Sequence, residues 1–214
     1  MNKRSWLLSA ALAVPLAFAS DFASELEADF DHSDLDRGIQ LYEAGKFQDA
    51  ETALAAAVEA NPDNARAHEY LGRTRLELHK FPAAQTELVK ADELSPDNAA
   101  VKIGLARAYL EQKQLDKAES EANRAAELSD SNPDVPLYRG AIAVAKRDFR
   151  NGAKLLEEAV AKKPDAAYAH YYAGLAYNGL RQPDKMVEHF RTFLKLAPDA
   201  PEAPKVQSLL RATR

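Results

Sequence analysis

The chain has 214 residues, contains no cysteine and carries 28 Lys and Arg against 33 Asp and Glu, a formal net charge of −5. The absence of cysteine excludes disulfides, thiolate metal sites, cysteine nucleophiles and a lipid anchor on cysteine. The acidic excess argues against nucleic acid as a partner, because phosphate binding needs a basic surface. Glycine is scarce and Ala, Leu, Glu and Lys dominate, so the composition favours helix.

Residues 1–19 have the layout of a secretory signal peptide. A basic start at Lys3 precedes an apolar run from Trp6 to about Phe18, which ends in the small residues of an A-x-A cleavage pattern. The run is shorter than the roughly 20 residues that a membrane-spanning helix needs. We therefore expect cleavage after Ala19, no membrane span in the mature protein, and export to the periplasm of a Gram-negative bacterium or into the medium. Retention of this segment as a membrane anchor is the alternative.

An acidic segment over residues 20–30 follows, which suits either a short leading helix or a flexible entry. Beyond it, the sequence repeats every 34 residues. Pro-Asp pairs begin at Pro62, Pro96, Pro164 and Pro198, and a small-residue column comprises Gly38, Gly72, Ala106, Gly140 and Gly174. Proline ends a helix because it has no N–H and disfavours helical backbone in the residue before it. The Asp and Asn residues after it can cap the next helix.

A 34-residue unit with these columns resembles the tetratricopeptide repeat (TPR) family. Five contiguous copies occupy residues 31–64, 65–98, 99–132, 133–166 and 167–200. The resemblance implies an all-α fold, a right-handed superhelical solenoid of antiparallel helix pairs, with residues 201–214 as a C-terminal capping helix. Stacked neighbours must supply the stability, since one helix pair cannot bury its apolar face alone. The small-residue column lets the two helices of a unit approach closely. Pro136 indicates a late start for the first helix of the fourth unit.

The histidines are the obvious candidates for chemistry, but their spacing does not support it. There is no H-E-x-x-H pattern, and His68 and His170 take equivalent positions three repeats apart. Packed helices lie roughly 8–10 Å apart, so these two cannot share an ion whose Zn–N distances are about 2 Å. We predict that both are packed residues. The chain also has no phosphate-binding glycine loop and no nucleophile elbow, so we expect no metal, no cofactor, no small-molecule substrate and no enzymatic activity.

The resemblance implies a concave groove lined by the first helix of each unit, where a peptide or protein would bind. The positions that line it in the family correspond here to Tyr42, Arg66, Tyr70, Arg73, Arg107, Tyr138, Tyr168, Tyr171, Tyr172 and Asn178. Tyrosine suits such a surface because it offers a large contact area and a polar tip. The Lys and Asn clamp with which some family members hold chaperone C-terminal tails is absent.

Several of these residues also have a purely structural interpretation. Tyr70 and Tyr138 could be core residues between repeats. Arg73 has Glu69 and Glu77 one helical turn away, and Arg107 has Glu111, and such surface pairs explain the charges without a ligand. The cluster of Tyr168, Tyr171 and Tyr172 is harder to bury, since three residues so close in one helix point in different directions.

The signal-like segment and the repeats thus predict an exported, non-enzymatic interaction module, and the resemblance implies an adaptor or assembly factor of the bacterial cell envelope. A self-associating scaffold, active as a homo-oligomer, is the alternative, and a metal protein or enzyme is a remote one.

Overall fold

The computed structural model describes residues 34–129 and 131–212, so the predictions for residues 1–19 and 20–30 lie outside it. A helical stretch over residues 34–43 (α1) opens this part of the chain. Ten helices follow: α2 (Phe47–Ala60), α3 (Ala65–Glu77), α4 (Phe81–Leu94), α5 (Ala99–Glu111), α6 (Leu115–Leu128), α7 (Asp134–Ala145), α8 (Phe149–Lys162), α9 (Ala167–Gly179), α10 (Pro183–Leu196) and α11 (Ala203–Ala212). No strand occurs between these bounds, and the predicted all-α fold is confirmed.

Consecutive helices pair into units. The most extensive contacts are within the pairs α3–α4, α5–α6, α7–α8 and α9–α10, and contacts between successive pairs come next. The first helices α3, α5, α7 and α9 also touch one another in series, whereas in the described chain the second helices of successive units do not. The first helices therefore form the inner layer of a curved array, and the second helices form the outer layer.

Asparagine side chains set the start of two first helices. The Asn64 side chain accepts hydrogen bonds from the amides of Arg66 and Ala67, and Asn98 caps α5 in the same way. Pro82 and Pro183 lie in the first turn of second helices, where the missing N–H costs nothing. The first helix of the fourth unit begins at Asp134, one residue later than its counterparts at Ala65, Ala99 and Ala167.

Two residues beyond the end of each unit's first helix, the chain has a residue with positive φ. These residues are Gly45, His79, Lys113, Arg147 and Arg181, with φ between 55° and 71°. The next amide then donates to a carbonyl five residues back, as Lys80 does to Arg75 at 2.8 Å. This left-handed ending satisfies a carbonyl at the helix end and turns the chain toward the second helix.

The two helices of a unit approach closely at the small-residue column. A Cβ on Gly72 would lie 2.6 Å from Cγ of Leu88, and one on Gly174 would lie 2.3 Å from Cδ1 of Phe190. In the third unit the corresponding residues are Ala106 and Ala122, both fully buried in one cluster. A glycine on the first helix thus faces a large side chain on the second, whereas an alanine on the first helix faces an alanine.

Helix α11 lies at the open end of the array. Val206 is fully buried against the fifth unit, and Leu209 and Leu210 pack against the same cluster. This helix covers apolar surface that a sixth repeat would otherwise have to cover.

Candidate binding groove

Two neighbouring cavities lie on the first-helix face and together are called the groove here. The first has a volume of about 160 Å³ and is lined by Tyr42, Arg73, Arg107 and Tyr138 among others. The second, of about 310 Å³, shares Arg107 and Tyr138 with the first and extends to Tyr168 and Tyr172. The groove thus brings together six of the ten residues predicted from the sequence.

Arg73 is held by its own neighbours in the first cavity. Its guanidinium lies 5.0 Å from the ring centroids of both Tyr42 and Tyr70. One nitrogen is 3.2 Å from the Glu69 carboxylate, the i−4 partner expected from the sequence. Stacking and ion pairing therefore account for this charge without a ligand.

Arg107 pairs with a different carboxylate from Glu111, the partner predicted from the sequence. Its Nη1 atom lies 2.5 Å from Oε1 of Glu77, in the preceding unit, and not against Glu111 in its own helix. The expected pairing was wrong because the first helices lie side by side, so the end of α3 reaches the middle of α5. Glu111 makes no ion pair with a lysine or arginine in the described chain.

Two tyrosines of the fifth unit donate hydrogen bonds to carboxylates. The Tyr168 hydroxyl donates to Glu202 at 3.0 Å, and the Tyr172 hydroxyl donates to Glu111 at 3.4 Å. Burial and these carboxylates raise the pKa of both phenols, and burial raises the pKa of Tyr138 to about 12. The three hydroxyls therefore stay protonated at neutral pH, and those of Tyr168 and Tyr172 act as donors.

Four predicted residues lie outside the groove. Tyr171 is 7% exposed, packs 5.2 Å from the Phe193 ring and has α11 beside it, so it is a core residue. Asn178 is exposed near the end of α9 and lines neither cavity. Arg66 and Tyr70 line a separate shallow depression near Asn98.

The acidic lining of the second cavity was not predicted from the sequence. Glu77, Glu111, Asp134, Asp165 and Glu202 all line it. The spacing of Glu77 and Glu111 could have indicated part of this lining. They are 34 residues apart, so each ends the first helix of its unit and they lie at equivalent places.

His68 and His170 are buried at equivalent places, as predicted, and each ring Nε2 lies 3.0 Å from the carbonyl of a proline six residues earlier. Their other partners differ: His68 pairs with Glu87 at 2.6 Å, whereas Nδ1 of His170 lies 3.1 Å from Nδ1 of His189. This contact between histidines was not predicted from the sequence. Within the described residues, no three His, Asp or Glu side chains form a possible metal site.

An array of antiparallel helix pairs with a groove along its first helices defines a helical-repeat solenoid, a protein–protein interaction module. Family models described as tetratricopeptide repeat match residues 35–84 and 139–203 in one case and residues 75–144 in another. The chain therefore belongs to the tetratricopeptide repeat family. In the part that the structure describes, none of the helices has the length and apolar character to cross a membrane.

Sequence relatives add little to this assignment. The chain is 33% identical over 73 residues to cell division cycle protein 27 homolog A of Arabidopsis thaliana. That match covers 34% of this chain and only 10% of the plant protein, so the activity of the whole relative does not carry over.

Solved structures share the fold at low sequence identity. The thermophilic TPR protein TTC0263 of Thermus thermophilus has a TM-score of 0.67 at 20% identity and covers 85% of this chain and 97% of its own. MamA has a TM-score of 0.59 at 22% identity, with coverages of 80% and 93%. YrrB, described as a TPR protein with an unusual peptide-binding site, has a TM-score of 0.55 at 18% identity. Its match covers 82% of this chain and 90% of its own. At these identities the likeness concerns the fold alone.

Proposed function

We propose that the protein binds a peptide or protein partner in the groove and acts as an adaptor or assembly factor of the bacterial cell envelope. The observation that carries this proposal is the row of tyrosines and arginines along the inner face, from Tyr42 and Arg73 to Tyr168 and Tyr172. The hydroxyls of Tyr168 and Tyr172 donate hydrogen bonds within the chain, and tyrosine side chains in general supply contact area and hydrogen bonding at small entropic cost.

Three further points support this proposal. The first helices touch in series, so the inner face is continuous and long enough for an extended segment. Peptide binding is named for one structural neighbour, YrrB, which shares the fold. The envelope location rests on the signal-like residues 1–19 alone.

Surface composition favours a bound partner over the self-associating scaffold. Among the described residues, Leu196 is the one large hydrophobic side chain that is plainly exposed, at 39%. Stable self-association normally buries a contiguous apolar patch. We expect light scattering to find a monomer at high protein concentration, and a stable dimer would favour the scaffold.

Site-specific photo-crosslinking in living cells tests the proposal. A benzophenone amino acid replaces Lys163, which is exposed at the edge of the second cavity, and a control replaces Lys154, which is exposed on α8 and lines neither cavity. We expect discrete crosslinked products at Lys163 that mass spectrometry assigns to one envelope protein, and none at Lys154. The proposal is wrong if both positions give the same products.

A further inference from the structure

The second cavity holds more negative charge than its own cations balance. Glu111, Asp134, Asp165 and Glu202 line it, and none of them forms an ion pair with a lysine or arginine within residues 34–129 and 131–212. Two cations line the cavity, and Arg107 is engaged by Glu77. Lys163 remains, at an exposed edge. The low-dielectric walls of a cleft focus the electric field of such an excess of negative charge, so the cavity attracts cations and repels anions.

Glu77 in the second unit and Glu111 in the third take equivalent places, but among the described residues only Glu77 has an arginine partner. Glu77 and Glu111 each end a first helix, where the helix dipole disfavours a carboxylate. Glu77 is compensated by the Arg107 guanidinium, 30 residues further along the chain. The residue equivalent to Arg107 in the next unit is Ala141. Glu111 forms no ion pair in the described chain: Arg107 acts on it only through space, and its hydrogen bond comes from the neutral hydroxyl of Tyr172, at 3.4 Å. A charged donor would therefore be a stronger partner.

The walls of this cavity are also suited to a cation. Tyr138, Tyr168 and Tyr172 line it beside the carboxylates. Tyrosine rings attract guanidinium and ammonium groups electrostatically, by about 0.5–2 kcal/mol depending on exposure. The chain already uses this pairing elsewhere, for example where Arg73 lies against Tyr42 and Tyr70.

We propose that the second cavity binds an arginine or lysine side chain of an extended, basic segment of the partner protein. This inference rests on the proposed function and specifies the charge of the ligand. The cation would approach Glu111 as Arg107 approaches Glu77, with Glu202 on the other side and tyrosine rings around it. A volume of about 310 Å³ is sufficient for one long side chain and the adjacent peptide backbone.

Fluorescence anisotropy with defined peptides tests the charge. The probes are fluorescein-labelled (Gly-Ser-Arg)₄, the same peptide with citrulline in place of arginine, and (Gly-Ser-Glu)₄, each titrated with the chain lacking residues 1–19. Citrulline keeps the shape of arginine but removes its charge. We expect the arginine peptide to bind at least about tenfold more tightly than the citrulline peptide, which is about 1.4 kcal/mol. Equal binding of these two peptides overturns the proposal.

Matched variants locate the interaction. Glu111→Gln with Glu202→Gln removes two charges and keeps both acceptors for the tyrosine hydroxyls. The control, Glu93→Gln with Glu158→Gln, removes the same charge from exposed positions on α4 and α8. We expect the first pair to weaken the arginine peptide about tenfold or more, and the control to change its affinity less than twofold. If both pairs weaken binding equally, the attraction is a general charge effect and the proposal is wrong. Circular dichroism melting checks that all variants are folded.

A random peptide library on phage separates this inference from the proposed function. If the selected sequences are basic and compete with the arginine peptide for binding, they support both the cation site and the proposed peptide-binding function. Acidic or apolar sequences that a groove substitution weakens would overturn the cation site and leave the groove as a binding surface. If no sequence is enriched at all, peptide binding itself fails, and the cation site with it.

Discussion

The contact between Gly72 and Leu88 offers a quantitative test of how the units hold together. Leu88 is fully buried, and a Cβ at Gly72 would lie 2.6 Å from its Cγ atom and 2.9 Å from its Cδ2 atom. Gly72→Ala therefore forces the helices apart or moves the leucine. The third unit carries the alternative solution, with alanine at both positions. The pair should accept Gly–Leu or Ala–Ala but not Ala–Leu.

The expected free energies of unfolding follow from this geometry. Gly72→Ala gains about 1 kcal/mol of helix propensity but overpacks the contact at a cost of about 1–3 kcal/mol, so we expect a net loss of about 0–2 kcal/mol. Leu88→Ala leaves a cavity and should cost about 2–5 kcal/mol. In the double variant the new methyl group lies in space that the leucine vacated. Its cost should fall below the sum of the single costs by about 1–3 kcal/mol.

A double-mutant cycle measured by urea denaturation tests whether the side chains at positions 72 and 88 compete for the same space. Circular dichroism gives the midpoints, and they are compared only among variants with equal slopes, because repeat arrays can unfold in stages. The reciprocal cycle in the third unit, Ala106→Gly with Ala122→Leu, is the matched test and should show coupling of the same sign. Additive costs within about 0.5 kcal/mol in both cycles would refute the reasoning, since the two side chains would then not compete for space.

Three further predictions concern the turns, the buried histidines and the N-terminus. Arg181→Gly should raise the free energy of unfolding by up to about 1 kcal/mol, because glycine adopts positive φ without steric cost, and Gly45→Ala should lower it by a similar amount; urea midpoints check both. Burial lowers the pKa of His189, although Glu157 opposes the shift, so below about pH 6.5 the unfolded chain binds more protons than the folded chain. The free energy of unfolding should therefore decrease as the pH is lowered through this range. His189→Gln should flatten that slope in midpoints taken from about pH 8 to about pH 5, and an unchanged slope would contradict this origin. Protein purified from the envelope should lack the mass of residues 1–19 and should show no tryptophan emission, since the single Trp lies there; tryptophan fluorescence would mean that the segment is retained.

The period of the sequence predicted the helix pairs because each column reflects local chemistry. A proline that ends one helix, an asparagine that caps the next and a glycine opposite a leucine act within a single unit. The positive-φ column was not predictable in this way. Only Gly45 suggests it, and the other members are His, Lys or Arg, which take that conformation because the packing of the two helices requires the turn.

Contacts between units were harder to predict, since they depend on how successive pairs are rotated. The ion pair of Arg107 with Glu77 and the hydrogen bond of Tyr172 to Glu111 join residues 30 and 61 positions apart. By contrast, the pairing of His170 with His189 was within reach of sequence comparison. His68 and Glu87 have the same separation of 19 residues, so aligning the second and fifth units places His189 where Glu87 lies.

In the proposed function, departures from the period determine where this array would recognise a ligand. If every unit carried the same side chains, an extended peptide could shift by one repeat and find an equivalent surface. Ala141 in place of a second arginine breaks that equivalence and leaves Glu111 without an ion pair to lysine or arginine in the described part of the chain. Tyr168 breaks it again, since none of the four preceding units has a tyrosine at that place. Both departures fall on one cavity, so a cation bound there would fix the register of the whole segment along the groove.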